Sequence, residues 1–203
     1  MKLLLATQNE HKVQELMRLM EPFGFEVCSL LDYPEIGEII EDGDTLEANA
    51  LIKAKAGYAH TNLPTVADDT GLSVDALNGA PGVYAARYAG ENVTYDDNVN
   101  KMLSELKDVP QSKRQATFQT AAVFYDGQEA ITAMGEVPGM ITTERQGSSG
   151  FGYDPIFLVP EKNKTYSQLD LEEKNQLSHR KRAFEKLLNI LVETHHAFKA
   201  ELP

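Results

Sequence analysis

Apolar residues occur along the chain in short runs that alternate with polar and glycine-containing segments. Residues 2–7 predict a short buried strand, and residues 25–29 predict a second one. Between these strands, apolar residues recur at the i, i+3, i+4, i+7 spacing of an amphipathic helix, at Val13, Leu16, Met17 and Met20. The helix is predicted to end at residues 21–24, which contain both Pro and Gly.

The following segment predicts a loop, a helix and a short strand. Residues 37–44 are acidic and interrupted by glycine, which is typical of a loop. Thr45 is a suitable N-cap for a helix that runs to about Tyr58, with one apolar face formed by Leu46, Ala50 and Ala54. Residues 65–67 predict a brief strand that ends in two aspartates, and residues 94–106 predict another helix.

The second half of the chain predicts a hairpin, a loop and a long helix. Residues 115–125 and 130–137 are rich in Thr, Val, Ile and aromatic residues, and Asp126-Gly127 between them favours a hairpin turn. Residues 147–152 predict a glycine-rich loop. The last helix has one apolar stripe, made by Phe184, Leu187, Leu188, Leu191 and Val192. Because helices and strands alternate first and a hairpin comes late, we expect a mixed α/β fold.

The balance of charged residues limits the kinds of ligand that the protein is expected to bind. Of the 203 residues, 42% are apolar, and 31 Asp and Glu against 19 Lys and Arg give a net charge of −12. This charge disfavours binding to a nucleic acid, and no run of five or more basic residues offsets it. A small anionic substrate is still compatible with it, because a few placed cations and a metal ion make a locally positive pocket.

The longest apolar runs are only a few residues, whereas a membrane span needs about 20. No secretory signal is recognisable at the N-terminus. Cys28 is the single cysteine, which excludes an intrachain disulfide and a cysteine-based zinc site and is typical of a reducing compartment. We therefore expect a cytoplasmic protein with no membrane partner.

Residues 7–12, Thr-Gln-Asn-Glu-His-Lys, are the first candidate for ligand binding. They lie where a strand passes into a helix, and a helix start leaves backbone N–H groups unpaired, so the segment could hold phosphate. Thr7, Asn9 and Lys12 add side-chain donors. The alternative interpretation is an Asn N-cap followed by a surface lysine. The glycine spacing of a P-loop is missing.

The segment Asp68-Asp69-Thr70-Gly71 is the second candidate. Adjacent residues of a strand point to opposite faces, so the two carboxylates are not expected to share one target. One of them could bind Mg²⁺ or activate water, with Glu41 of the acidic loop as a second ligand, because Mg²⁺ needs few carboxylates beside substrate phosphates. The alternative is an ordinary acidic turn.

Two further candidates could recognise a base. In the glycine-rich loop, Phe151 or Tyr153 could stack on it, or these aromatic side chains could instead fill the core. Lys174 and residues 178–180, predicted at the opening of the last helix, could donate to purine carbonyls, or they could form a solvated basic face. His60, His195 and His196 are expected at the surface, and Lys53 is expected to be exposed unless a binding cleft extends to it.

Taken in order, these motifs resemble the inosine triphosphate pyrophosphatase family, which acts on non-standard purine nucleoside triphosphates. The resemblance covers residues 2 to about 192. The matching segments are residues 5–12, residues 41–50 with Lys53, and residues 67–77, 81–88, 151–155 and 173–180.

The resemblance implies that residues 1–203 form a single nucleotide pyrophosphatase domain in a homodimer. The implied fold is an elongated, two-lobed, mixed-sheet α/β fold with a central cleft. The implied reaction is hydrolysis of ITP, dITP and XTP to the monophosphate and pyrophosphate, with Mg²⁺ or, in its place, Mn²⁺. Asp69 would be the general base and, with Glu41, a metal ligand. The implied substrate-binding residues are Thr7, Gln8, Asn9, Glu10, His11, Lys12, Lys53, Thr70, Phe151, Gly152, Tyr153, Asp154, Lys174, His179 and Arg180.

Two other functions are weighed against this one. A pyrophosphatase for modified pyrimidine nucleotides could share the lysine-bearing strand–loop–helix start, but it would not need residues 151–154 and 178–180. A non-catalytic nucleotide-binding or sensor protein would tolerate the loss of Asp69 and Glu41, and the presence of both favours catalysis.

Overall fold

The computed structural model describes residues 1–195 as helices and strands that alternate along the chain. The strands are β1 (Lys2–Leu5), β2 (Glu26–Ser29), β3 (Thr65–Val74), β4 (Pro81–Gly82), β5 (Gln115–Tyr125), β6 (Ala130–Ile141), β7 (Phe157–Val159) and β8 (Lys164–Thr165). The α-helices are α1 (Glu10–Met20), α2 (Leu46–Thr61), α3 (Tyr95–Glu105), α4 (Leu171–Leu177) and α5 (His179–Thr194). The predicted mixed α/β fold is confirmed.

The strands form one mixed sheet in the order β2-β1-β3-β5-β6-β7-β8, with β4 paired to β3. β1 pairs in parallel with both β2 and β3, and its Leu3, Leu4 and Leu5 are fully buried, as expected for a parallel strand covered on both faces. β4, β7 and β8 pair antiparallel with β3, β6 and β7. The neighbouring strands β5 and β6 are joined by residues 126–129, which confirms the predicted hairpin.

The chain divides into two compact units, and each has its own apolar core. The first unit comprises Met1–Asp69, Thr120–Gly135 and the described residues from Arg180 onward, and the second comprises Thr70–Gln119 and Glu136–His179. The core of the first unit includes Leu3, Leu16, Phe124, Phe184, Leu187 and Leu191. The core of the second unit includes Leu72, Met102, Phe118, Phe157 and Tyr166. At about 1.5–3 kcal/mol for each fully buried large apolar side chain, these clusters provide most of the stabilisation of each unit.

The helix starts follow from capping residues. Asn9, Thr45 and Thr94 are the N-caps of α1, α2 and α3, and each side chain accepts a backbone N–H from the first turn. The apolar face of α1 differs from the predicted one in one respect. Met17 is 37% exposed, whereas the charged residue Glu15 is 5% exposed, because Glu15 has a buried cationic partner described below.

The secondary structure differs from the prediction in three main respects. The strand predicted at residues 65–67 continues through both aspartates to Val74. Lys174 does not open the last helix but lies in the separate helix α4, and Ser178, with an extended backbone, separates it from α5. The short strands β4, β7 and β8 were not predicted, because two or three residues are too few to show alternation.

The histidines differ from one another. His60 is exposed, as predicted. The prediction of a surface position for His195 is wrong, because its Nε2 lies 3.0 Å from Asp126 Oδ2 and its ring packs edge-on against Phe124. His196 lies outside the described residues. Among the described residues, no helix is both long and apolar enough to cross a membrane.

Candidate active site

The segment between β1 and α1 is held by its own polar side chains. Asn9 Oδ1 accepts the backbone N–H of His11 at 3.0 Å and of Lys12 at 3.3 Å. Thr7 Oγ1 accepts the N–H of Asn9 at 3.2 Å. The Asn9 side chain therefore satisfies two of the N–H groups that a helix start leaves unpaired, and the N-cap interpretation is correct for this residue.

The side chains of Gln8, Glu10 and His11 in this segment differ in exposure and in hydrogen bonding. Glu10 and His11 are exposed. Gln8 Nε2 donates to the carbonyl of Gly37 at 2.9 Å. This bond ties the segment to the acidic loop, residues 37–44, which has no helix or strand, as predicted.

Lys12 belongs to a cluster of buried charges, so the alternative interpretation of a surface lysine is wrong. Its Nζ lies 3.1 Å from Asp68 Oδ2, and its side chain keeps 16% of its exposure. Arg180 Nε donates to the same Asp68 oxygen at 3.1 Å, and Arg180 Nη1 donates to Glu15 Oε2. We call Lys12, Asp68, Arg180 and Glu15 the buried ion network.

The members of the buried ion network differ in how well their charges are compensated. Burial opposes the charge of Asp68, but Lys12 and Arg180 outweigh it and hold the pKa of that carboxyl well below its usual range. Burial likewise opposes the charge of Arg180, yet Asp68 and Glu15 raise its pKa. For Lys12, burial prevails and lowers the pKa. An anionic ligand beside Lys12 would therefore stabilise its ammonium form.

A second group in the first unit joins two carboxylates through one lysine. Lys53 Nζ donates to Glu41 Oε2 at 2.7 Å and lies 3.5 Å from Asp69 Oδ1. Lys53 is only 7% exposed, so the prediction of an exposed lysine is wrong. Burial disfavours its charge, but Asp69 and Glu41 together raise its pKa. We call Glu41, Asp69 and Lys53 the acidic cluster.

The two aspartates of β3 serve different groups, as the alternation of strand side chains predicted. Asp68 is 1% exposed and belongs to the buried ion network, whereas Asp69 is partly exposed and belongs to the acidic cluster. The interpretation of this pair as an ordinary acidic turn is wrong, because both residues lie within a strand. Thr70 follows them in β3 and is half-buried.

The acidic cluster has the donor chemistry that Mg²⁺ prefers. Oxygens of Glu41 and Asp69 converge on one Nζ, and the two side chains keep 31% and 13% of their exposure. Mg²⁺ binds through one or two carboxylates, substrate phosphates and water. No group of three or more His, Cys, Asp or Glu side chains suited to a metal occurs in the part of the chain that the structure describes. The cluster therefore fits a metal whose remaining ligands are substrate oxygens and water.

In the second unit, Asp154 organises the glycine-rich loop. Its Oδ2 accepts the N–H of Phe151 at 2.9 Å and the Nζ of Lys174 at 2.7 Å. Gly150 has φ +81°, and a Cβ there would lie 2.1 Å from that same oxygen, so any other residue would displace the carboxylate. Lys174 Nζ also lies 4.8 Å from the centre of the Phe151 ring, a cation–π distance.

The two aromatic residues of this loop have different environments. Tyr153 is 5% exposed and belongs to the core, and its hydroxyl donates to the carbonyl of Ala85 at 2.9 Å. Burial raises the pKa of this phenol. The core-filling interpretation therefore holds for Tyr153. Phe151 is half-buried, as is the adjacent Gly152, which has φ +61°.

The positively charged or polar residues that were predicted to recognise a purine base are all buried. The alternative interpretation, a solvated basic face, is therefore wrong. Lys174 is 6%, His179 5% and Arg180 2% exposed. The His179 ring stacks on Phe118 with 4.7 Å between ring centres. Lys174 and His179 belong to the second unit, and Arg180 belongs to the first.

Two polar residues of these groups were not predicted to have a role, Glu15 and Asn49. Glu15 pairs with Arg180, and Asn49 donates to Asp69 Oδ2 at 3.1 Å. A signal was present only for Asn49, which lies three residues after Leu46 within the apolar period of its helix, where burial without a partner would be costly. Glu15 lies two residues after Val13 and outside the apolar period of α1, so the pattern did not indicate its burial.

The chain is similar to known proteins in both sequence and structure. The chain matches the Ham1 family over residues 3–190. A protein named dITP/XTP pyrophosphatase from Bacillus licheniformis is 48% identical over 191 residues, which is 94% of this chain and 97% of that protein. Its namesake from Bacillus subtilis is 47% identical over 189 residues, covering 93% and 96%.

Two solved structures extend the comparison. A HAM1 protein from Coxiella burnetii matches with a TM-score of 0.86 and 37% identity, covering 96% of this chain and all of that one (100%). The structure described as nucleoside-triphosphatase / dITP/XTP pyrophosphatase from Mycobacterium abscessus matches with a TM-score of 0.73 and 43% identity, covering 93% and 99%.

The fold and these groups define a class of mixed α/β protein with a network of buried ion pairs and a pair of carboxylates that converge on one buried lysine. The similarity to the Ham1 family and to the relatives described above extends over nearly the whole chain. This chain belongs to the Ham1 family, and the resemblance inferred from the motifs is confirmed.

Proposed function

We propose that this chain is a hydrolase that cleaves ITP, dITP and XTP to the monophosphate and pyrophosphate, which keeps these nucleotides out of DNA and RNA. The observation that carries the proposal is the acidic cluster, in which Glu41 and Asp69 converge on buried Lys53. Relatives nearly half identical to this chain bear the name dITP/XTP pyrophosphatase, which supports the choice of substrate.

The metal in this proposal is Mg²⁺, and Mn²⁺ can replace it because both accept oxygen ligands. Glu41 and Asp69 would hold it. When bound, the ion supplies neutralisation of the phosphate charge and of the charge that develops on the leaving pyrophosphate.

Asp69 is the general base that takes a proton from the water that attacks the α-phosphorus. Lys53 contacts the substrate phosphates as well as both carboxylates. Lys12 gains stability as an ammonium when a phosphate lies against it, since burial lowers its pKa. The remaining residues that we assign to the substrate on this side are Thr7, Gln8, Asn9, Glu10, His11 and Thr70.

Selection against adenine follows from hydrogen-bond donors, whereas guanine shares the 6-carbonyl, so rejection of GTP must act through its 2-amino group. Hypoxanthine and xanthine carry a carbonyl at position 6, where adenine carries an amino group. Lys174 and Arg180 donate to the carbonyl and His179 contacts the base, whereas adenine would place donor against donor, and unpaired groups of this kind reject a wrong ligand by up to about 10⁴-fold. Phe151 stacks on the base, and Gly152, Tyr153 and Asp154 shape its surroundings. The contacts of Arg180 with Asp68 and Glu15 fix the direction of its guanidinium.

We further propose that the whole chain acts as one pyrophosphatase domain and functions as a homodimer in the cytoplasm. The lone thiol of Cys28 is buried and compatible with a reducing compartment. The net charge of −12 favours a small nucleotide over a nucleic acid as the partner.

The experiment that tests this proposal is pyrophosphate release from ITP, XTP, GTP, ATP and UTP, each with and without Mg²⁺. We expect metal-dependent release from ITP and XTP, and release from the other three slower by orders of magnitude. Asp69→Asn should lower kcat by about two to four decades, the scale for loss of a general base. Asp108→Asn, at an exposed position, is the matched control and should keep wild-type turnover.

The same measurement separates the other functions. Activity confined to UTP, or equal activity on all five nucleotides, would support a pyrophosphatase of other specificity. Binding of ITP without turnover would support a non-catalytic nucleotide-binding protein.

A further inference from the structure

Asn49 is a buried polar residue that the proposed reaction leaves without a role. It lies in the first turn of α2 and is 1% exposed. A buried amide group without a hydrogen bond loses its contacts with water and gains nothing in return, so both ends of this side chain require partners. One end meets Asp69 of the acidic cluster, and the other meets the loop that carries Glu41.

The oxygen end of Asn49 holds the loop that carries Glu41. The N–H of Gly43, two residues after Glu41, donates to Asn49 Oδ1 at 2.8 Å. A Cβ on Gly43 would lie 2.8 Å from this oxygen and 2.8 Å from Ala48 Cβ, so the loop approaches α2 more closely than a side chain allows. Because a backbone N–H can only donate, the oxygen of the amide must face the loop.

The nitrogen end of Asn49 therefore faces Asp69 and donates to its Oδ2 at 3.1 Å. Lys53, one helical turn further along α2, lies 3.5 Å from the other oxygen, Oδ1. Residues four apart lie on the same helix face, so α2 grips both oxygens of one carboxylate and fixes its plane. Lys53 also bonds Glu41, which links the two carboxylates a second time.

The two side chains of α2 that contact Asp69 differ in charge. The ammonium of Lys53 competes with a metal ion for the negative charge of Glu41 and Asp69. The amide of Asn49 is neutral, so it orients Asp69 without reducing the charge that attracts a cation.

We propose that Asn49 is a positioning residue that sets the Asp69 carboxylate and the Glu41 loop in the arrangement that binds a divalent metal and directs the attacking water. The part concerning water rests on the proposed function, and the part concerning the metal does not. Residues that orient metal ligands in this way change metal affinity or activity by about 10- to 100-fold when they are replaced.

The test compares Asn49→Ala with Asn98→Ala. Asn98 is the matched control, because it is 2% exposed, lies on helix α3 and also uses both ends of its amide. It accepts the N–H of Ala89 at 2.7 Å and donates to the carbonyl of Ala86 at 2.9 Å, so its partners are backbone groups and not a carboxylate. The measurements are Mn²⁺ affinity of the nucleotide-free protein, kcat and KM for ITP, and Tm.

We expect both variants to lose thermal stability, because each loses a buried amide. Only Asn49→Ala should lose about 10- to 100-fold in Mn²⁺ affinity and in kcat, with a smaller change in KM. Wild-type Mn²⁺ affinity and kcat in folded Asn49→Ala would overturn the inference. If the wild-type protein hydrolyses no ITP, the proposed function fails, and Mn²⁺ affinity alone then decides the role of Asn49.

A second variant covers the case in which Asn49→Ala does not fold. Asn49→Asp keeps the shape of the side chain and an oxygen for the Gly43 N–H, but it replaces the donor facing Asp69 with an acceptor. We expect kcat to fall as in Asn49→Ala, with Asn98→Asp unchanged in kcat. Wild-type kcat in Asn49→Asp would overturn the inference.

Discussion

At the scale of single residues, Asp68 decides how charge is distributed in the first unit. Its Oδ2 accepts from both Lys12 and Arg180, and Arg180 is shared with Glu15. Buried ion pairs add little net stability compared with apolar residues, but removal of one partner leaves an uncompensated charge. Asp68 is therefore more important for holding Lys12 and Arg180 in place than for the chemistry of the adjacent Asp69.

Asp68→Asn should destabilise the protein by about 3–5 kcal/mol at neutral pH, because Lys12 and Arg180 would then face a neutral amide. A carboxyl whose pKa is lowered by folding contributes stability that is present above its unfolded pKa of about 3.9 and is lost as pH falls towards the folded value. The difference from wild type should stay constant from about pH 7 to pH 5 and shrink below pH 4.

Urea unfolding of both proteins across this pH range measures the effect. Asp108→Asn, at an exposed position, is the control and should stay within about 0.5 kcal/mol of wild type. An Asp68→Asn variant as stable as wild type at pH 7 would contradict the account of the buried ion network.

Individual residues were predictable from the sequence to different degrees. The separate targets of Asp68 and Asp69 followed from strand alternation alone. The burial of Lys53 did not, because the sequence gives no measure of what packs over a helix face. Lys53 can be buried only because Glu41 and Asp69 raise its pKa and keep it charged, and both partners are distant in sequence.

At the scale of elements, the conformation of the glycine-rich loop depends on the close approach of Gly150 to Asp154. Gly150 and Gly152 both have positive φ, of +81° and +61°. A Cβ on Gly150 would collide with Asp154 Oδ2, whereas a Cβ on Gly152 would have no atom within 4 Å. An alanine at either position would have backbone strain, but only an alanine at residue 150 would also collide with Asp154. Comparison of the two variants therefore separates the two costs.

Gly152→Ala should cost about 1–2 kcal/mol of stability, the strain of a left-handed alanine. Gly150→Ala should cost about 1–3 kcal/mol more, because Asp154 would be forced away from the Phe151 N–H and from Lys174. Urea unfolding of the two variants measures the difference directly. Equal losses would show that Asp154 is not held in the position described.

Elements were predictable where the pattern was long and regular. α1, α2, α3, α5 and the hairpin of β5 and β6 were expected from period and capping residues. The break between α4 and α5 was not expected, since residues 171–194 contain neither Gly nor Pro. The break comes from the extended backbone of Ser178, with φ −73° and ψ 145°, which places Lys174 and His179 on separate helices.

At the scale of the whole molecule, the mixed α/β class was predictable because helical and strand patterns alternate along the chain. The division into two compact units was implied only by the family resemblance, since no linker or change of composition marks it in the sequence. The chain crosses from one unit to the other four times, within β3, β5 and β6 and between His179 and Arg180 at the start of α5, so the boundary falls inside regular elements.

Hydrolysis of ITP by the wild-type protein in ¹⁸O-labelled water with Mg²⁺ identifies the phosphorus atom that the water attacks. The proposed function places the attacking water at the α-phosphorus, so all of the label should be found in the nucleoside monophosphate, and the pyrophosphate should carry none. Label in the pyrophosphate, or release of inorganic phosphate in its place, would show attack at another phosphorus and contradict the role proposed for Asp69.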